Sequence, residues 1–272
     1  MTVHHRRFLA PLLVLAAVLA PAGGALAGDD GAKPRETRFI AREAGKEVGL
    51  ETLRVAKGDT ARYASGQVRK KGDKRPFLTS FLQLDGDQRI VKYRRQLEAR
   101  QGKGVFAFRH GDGLRVVTLN EDTKPVDWPR SDTKVVVWDP RALHVAATWA
   151  ERLDSTAASV ALTALDASTR KQEALVANRG APRRITGPKG GAIDTTSWAV
   201  QRAGAPLATL YVDPAHKVVG IEAGTRTLLV EGYRWDAPPE AAPADPAAEG
   251  DHEAPAEGAP ATETDDDAGE GP

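Results

Sequence analysis

The chain has 272 residues, with 38 Lys and Arg against 37 Asp and Glu, a formal net charge of +1 and no cysteine. These values exclude a disulfide scaffold and a cysteine-held metal centre, and they leave room for one domain with a real core. The near-neutral total hides an asymmetry: residues 28–235 carry 36 basic and 25 acidic side chains, whereas residues 236–272 carry 12 acidic side chains and no Lys or Arg.

Residues 1–27 read as a secretory signal. His4, His5, Arg6 and Arg7 form a basic start, residues 8–20 form an apolar run short for a bilayer, and Ala25-Leu26-Ala27 supplies small residues for cleavage after Ala27. The mature protein is therefore expected to be exported, periplasmic or extracellular, with no cysteine to carry a lipid anchor. Residues 28–35 read as a linker and residues 36–235 as a single β-rich domain. Residues 236–272, almost wholly Ala, Pro, Glu, Asp and Gly, form an acidic tail that buries too little apolar surface to offset its ordering entropy.

The first half of the domain predicts a meander of strands separated by Gly58-Asp59, Gly72-Asp73, Asp85-Gly86-Asp87 and Gly111-Asp112-Gly113 turns. Residues 76–84 are apolar at both parities. Phe77 and Phe81 share one face, Leu78, Leu82 and Leu84 the other, so this strand is expected to be covered on both sides. In the next strand Val91, Tyr93 and Leu97 are assigned inward, and Ile90, Lys92 and Arg94 toward water. Phe106 and Phe108 share a face of the following hairpin. Residues 120–133 read as a loop around Trp128. Asp139-Pro140 predicts a helix start, with an α-helix over 140–153 whose apolar face includes Leu143, Ala146 and Trp149. Strands resume from residue 159 to residue 230. About a dozen strands must curl, close or split. The expected fold is mainly β: a large curled antiparallel sheet, an open or half barrel, with one helix packed on its concave side.

The order of features, with a Lys-Glu-Val-Gly-Leu-Glu-Thr-Leu-Arg-Val opening from Lys46, the Leu-Gln-Leu-Asp-Gly-Asp hairpin from Leu82 and the late Leu-Tyr-Val-Asp-Pro from Leu210, resembles periplasmic domains of unknown function related in shape to the Lol-system lipoprotein carriers. That resemblance implies an unclosed barrel with a helix against its concave side.

No motif assigns a catalytic residue. The histidines lack metal-ligand spacing, Gly187-Pro188-Lys189-Gly190-Gly191 lacks the phosphate-loop spacing, and no Ser/His/Asp set stands out. No cofactor or metal is implied. The leading expectation is a non-enzymatic, monomeric binder of an apolar or lipid-like ligand, lined by Leu78, Leu82, Leu84, Val91, Tyr93, Phe106, Phe108 and Trp149. A second expectation is an envelope interaction module. Its basic face of Lys70, Lys71, Lys74, Arg75 and Arg94 would meet an anionic envelope component, such as lipid headgroups or acidic polysaccharide, and its acidic tail would compete for that face. Nucleic acid is set aside as a partner on grounds of compartment. The third expectation, an enzyme, has no residues to name.

Overall fold

The computed structural model describes residues 34–98, 102–121, 123–129 and 134–236. The predicted signal, residues 28–33 of the predicted linker, and the acidic tail past residue 236 lie outside the described residues, and the last linker residue, Arg35, already opens the first strand.

Gly and Asp break the first half into adjacent antiparallel strands: β1 (Arg35–Glu43), β2 (Lys46–Lys57), β3 (Ala61–Lys70), β4 (Leu78–Asp85), β5 (Ile90–Leu97), β6 (Gly104–His110), β7 (Gly113–Leu119) and β8 (Val126–Trp128). Gly72 turns β3 toward β4 at φ 85, where a side chain would be strained. Asp85 closes the β4–β5 turn, its Oδ1 accepting the Arg89 N–H at 2.8 Å.

The second half supplies β9 (Lys134–Trp138), β10 (Ser159–Asp166), β11 (Lys171–Arg179), β12 (Arg183–Thr186), β13 (Ala192–Arg202), β14 (Ala205–Val212), β15 (Val218–Ala223), β16 (Arg226–Val230) and β17 (Arg234–Trp235). β16 returns to pair with β1, so one ladder runs from β8 through β1 and β16 to β9. Strands β5 and β9 lie far apart along this ladder yet approach in space, so the sheet curls. Among the described residues its two ends, β8 and β9, share no ladder, and the sheet is not closed into a barrel.

The sheet is mixed rather than wholly antiparallel, because β9 and β10 run parallel. Parallel neighbours need a crossover connection, and here that connection carries the one helix among the described residues, a 3-10 helix over Leu143–Arg152. The α-helix expected over 140–153 is thus shorter and tighter, and Asp139 does not cap it. The helix starts after Ala142 without a side-chain cap. Asp139 instead turns the chain, accepting the Arg141 N–H at 3.0 Å, and is held by β5 side chains. The helix touches β2, β3, β9 and β15, and most of its residues are buried.

Three further expectations are corrected. β4 is buried on one face only: Leu78, Ser80, Leu82 and Leu84 point inward, while Phe81 stays half-exposed. A register shift between Gln83 and Leu84 brings Ile90 inward beside Tyr93 and Arg95. Val126–Trp128 pairs with β7 inside the stretch expected to be a loop, burying Trp128. The doubly covered part of the sheet is β14–β16. Leu210, Ile221 and Leu228 face the main core, while Tyr211 and Val219 form a second cluster with Ile185, partly covered by Tyr233 and Trp235. That cover is built by β12, which shares β13 with β11, and by β17, which pairs with β12. Gly220 permits it, since a Cβ there would stand 2.5 Å from the Trp235 ring.

Candidate functional site

The eight residues expected to line a ligand cavity separate into two groups. Leu78, Leu82, Leu84, Tyr93 and Trp149 are buried in the main core cluster, packed against other side chains. Val91, Phe106 and Phe108 are half-buried, and the two phenylalanines stack at 5.1 Å on the outer face of β6. Of the five cationic residues, Lys70, Lys71, Lys74 and Arg75 stand exposed at and after the end of β3. Lys71 lies 3.8 Å from Glu47, and Lys70 sits over the Phe77 ring at 5.7 Å. Arg94 is separate from them, half-buried on the outer face of β5 between Phe81 and Phe106 in the cross-strand register.

A cleft of about 930 Å³ opens where the N-terminal part of β1, the end of β2, the β4–β5 turn, the 3-10 helix and the β14–β15 turn converge. Phe39, Leu53, Ala56, Ala150 and Val218 give it an apolar floor. Its rim is charged. Arg38 pairs with Glu231 at 3.0 Å and Arg62 pairs with Glu151, while Lys57, His216 and Lys217 also line it. None of the eight predicted lining residues borders this cleft. The volume lies within the range of small-molecule sites. No local pattern announces this cleft, because its walls come from segments spread from Arg35 to Tyr233.

Between the helix and the sheet lies a buried polar network. Glu51 Oε2 accepts from the His144 backbone N–H at 2.9 Å and lies 2.7 Å from His144 Nδ1, and Glu51 Oε1 accepts from Arg226. His144 Nε2 lies 2.7 Å from Ser80 Oγ. Beside this, Tyr93 donates its hydroxyl to Asp139 Oδ2 at 2.6 Å and Arg95 donates to Asp139 Oδ1 at 3.0 Å. Burial and then the Asp139 carboxylate hold the Tyr93 phenol well above its ordinary range, so it stays a donor. Arg152 donates to the carbonyls of Val135 and Gln88, and burial followed by the nearby Arg62 charge pulls its pKa down to about 10.

The Ser80–His144–Glu51 order matches the hydrogen-bond relay that activates a serine nucleophile. Such a nucleophile must meet its substrate. Glu51 and His144 are wholly buried, Ser80 is 8 % exposed, and none of the three borders the cleft. The relay therefore acts as a tie. It fastens the helix to β2 and β4, and Gly66 on β3 gives His144 its space, because a Cβ there would lie 2.0 Å from Nε2. Among the described residues no three His, Asp or Glu side chains group as metal ligands.

No family model matches the chain, and no curated protein matches it. Among solved structures it is similar to the crystal structure of a β-barrel-like protein of a domain of unknown function from Brucella abortus. The two are 11 % identical with a TM-score of 0.43, over 75 % of this chain and 98 % of that one.

Proposed function

We propose that this protein is an exported, non-enzymatic binder of an amphiphilic, lipid-like molecule, held in the cleft at the end of the curled sheet. On this reading the 3-10 helix lies on the concave side and closes the bottom of the cleft. The carrying observation is the cleft's division into an apolar floor of Phe39, Leu53, Ala56, Ala150 and Val218 and a rim of Arg38, Lys57, Glu231 and Lys217. A floor of that kind takes an acyl or other apolar chain, and a mixed-charge rim holds a polar head in water. The interior beyond the floor is packed with side chains, which limits the ligand to the cleft itself. The reading continues the likeness in turn pattern to the lipoprotein-carrier family, with a shorter binding space.

The test is native mass spectrometry of the protein purified without detergent, followed by binding of a fluorescent fatty-acid analogue. Ala147→Trp places an indole at the helix side of the cleft, where Ala147 is half-buried. Binding that is lost in this variant, with the melting temperature kept, supports the reading. Absence of both co-purifying lipid and probe binding in the unaltered protein overturns it.

A further inference from the structure

The outer face of β3–β6 carries an aromatic ladder threaded by cations. Tyr63 and Phe81 lie 6.3 Å apart, Phe106 and Phe108 stack at 5.1 Å, and Lys92 stands between the pairs, 5.9 Å from the Phe81 ring and 5.4 Å from the Phe106 ring. Arg94 occupies the neighbouring row, opposite Phe81 on one side and Phe106 on the other. Its guanidinium donates to Gln96, a neutral partner. Among the described residues neither Lys92 nor Arg94 is ion-paired, although ion pairs are common elsewhere on the surface. A cation over a ring keeps most of its charge available to an anion approaching from outside.

Among the described residues a second cation, Arg183, also stands against two aromatic rings, and there the arrangement is complete. Arg183 lies 4.1 Å from the Trp235 ring and 5.3 Å from the Tyr211 ring, and its charge is met by the Glu222 carboxylate at 2.7 Å. The chain thus sets a carboxylate against a ring-stacked cation and covers the neighbouring Tyr211 ring with Trp235, at an interplanar angle of 66°. On β3–β6 the rings and cations are present, and among the described residues no carboxylate pairs with either cation and no further ring covers the face.

We infer that the outer face of β3–β6 binds a carboxylate-bearing polysaccharide. Its carboxylates would meet Lys92 and Arg94, and the apolar faces of its sugar rings would pack on Phe81, Phe106 and Phe108. The rings lie half-buried beneath the Lys92 stem rather than projecting. That geometry suits a flat chain laid across the strands better than insertion into a membrane, which takes up protruding apolar side chains. The surface is separate from the cleft, whose lining includes none of these five residues.

The test is affinity electrophoresis and calorimetry of the full chain with polygalacturonate, with neutral dextran, single-stranded oligothymidylate and phosphatidylglycerol vesicles run in parallel. The expected result is salt-sensitive binding of polygalacturonate and none of dextran. In the double variant Lys92→Gln with Arg94→Gln, affinity should fall by about tenfold or more, the loss expected for two charge-assisted contacts. Lys171→Gln, a control on exposed β11, should change nothing, and Ala147→Trp in the cleft should leave polygalacturonate binding intact. Absence of polygalacturonate binding, equal loss in the Lys171→Gln control, or preferential binding of the oligonucleotide or the vesicles would each overturn the inference. Phe106→Leu guards against a folding artefact. It keeps an apolar side chain and both charges, and it should weaken binding less than the double variant does.

Discussion

On β14–β16 the outer face carries Tyr211 and Val219, and the chain's own β12 and β17 cover it. On β3–β6 the outer face carries Tyr63, Phe81, Phe106 and Phe108, which stay half-exposed beneath Lys92. The two regions use the same contact, a cation over aromatic rings, in opposite ways. Arg183 is neutralised by Glu222, whose carboxylate also accepts the Tyr211 hydroxyl at 2.6 Å, so its charge serves the fold. Among the described residues neither Lys92 nor Arg94 pairs with a carboxylate, so their charge remains directed outward. Ring stacking alone therefore does not reveal whether a cation is structural. The presence or absence of its carboxylate does.

The largest effect is expected where the two regions are joined. The 3-10 helix touches β2 and β3 on one side and β15 on the other, and His144 fastens it through Ser80 and Glu51. Gly66→Val would drive a side chain into His144 Nε2 and toward Thr52 O, which stand 2.0 and 2.7 Å from the position of a Cβ. Displacing His144 leaves Glu51 buried with only Arg226 to compensate it. Such losses cost about 3–5 kcal/mol. If the regions belong to one cooperative unit, the variant lowers the stability of both, read by hydrogen exchange of β14–β16 amides on one side and of β4–β6 amides on the other. Loss of protection on β4–β6 alone would divide the comparison into two independently stable parts.

An intermediate effect belongs to the covered region alone. Burial, and then the hydrogen bond to Glu222, push the Tyr211 phenol up to about 12, against the pull of Arg183. In the unfolded chain a tyrosine titrates near about 10. Between those values the folded protein keeps a proton that the unfolded chain has lost. The stabilisation is therefore complete below about pH 10 and lost as the pH climbs through about 12. Tyr93 contributes in the same direction, since its phenol is also held high. Tyr211→Phe should therefore flatten part of the fall in stability between about pH 10 and about pH 12, measured by urea denaturation. An unchanged slope would mean that Tyr211 is not sealed by β12 and β17.

Much of the bare region was legible in the sequence and little of the covered one was. Strand periodicity marks Leu78, Leu82, Phe77 and Phe81 because side chains alternate at period two, and Gly/Asp pairs mark the turns between long strands. The same periodicity misled where a bulge reverses it, at Ile90, and where Phe81 found shelter under a lysine stem instead of a second layer. β12 and β17 are four and two residues long, too short to carry a period. The buried network was invisible for another reason. His144 and Glu51 stand 93 residues apart, Tyr93 and Asp139 stand 46 apart, and no local pattern announces such partners. Asp139 before Pro140 did read as a helix cap, and its carboxylate was drawn to Tyr93 and Arg95 instead. The cleft shared that obscurity, being assembled from turns far apart in the chain.

The smallest effect is the most discriminating. Arg183→Gln removes a guanidinium that contacts two rings, Glu222 and the Tyr211 hydroxyl, and leaves the Glu222 carboxylate at a partly covered site. The side chain is still 36 % exposed, so solvent screening holds the expected cost to about 1 kcal/mol. Lys92→Gln with Arg94→Gln removes two charges from the bare face without stranding any carboxylate, and the remaining stems still cover the rings. The expected cost is below about 0.5 kcal/mol, and loss of repulsion between the two cations offsets part of the lost ring contact. Urea denaturation of both variants under the same conditions measures the difference. A double variant as costly as Arg183→Gln would show that the β3–β6 cations hold the fold together, and the asymmetry between the two faces would vanish. A near-silent double variant leaves a pair of cations that the fold does not need, set among rings and without a counter-charge, which is the physical signature of a surface kept for an anionic partner.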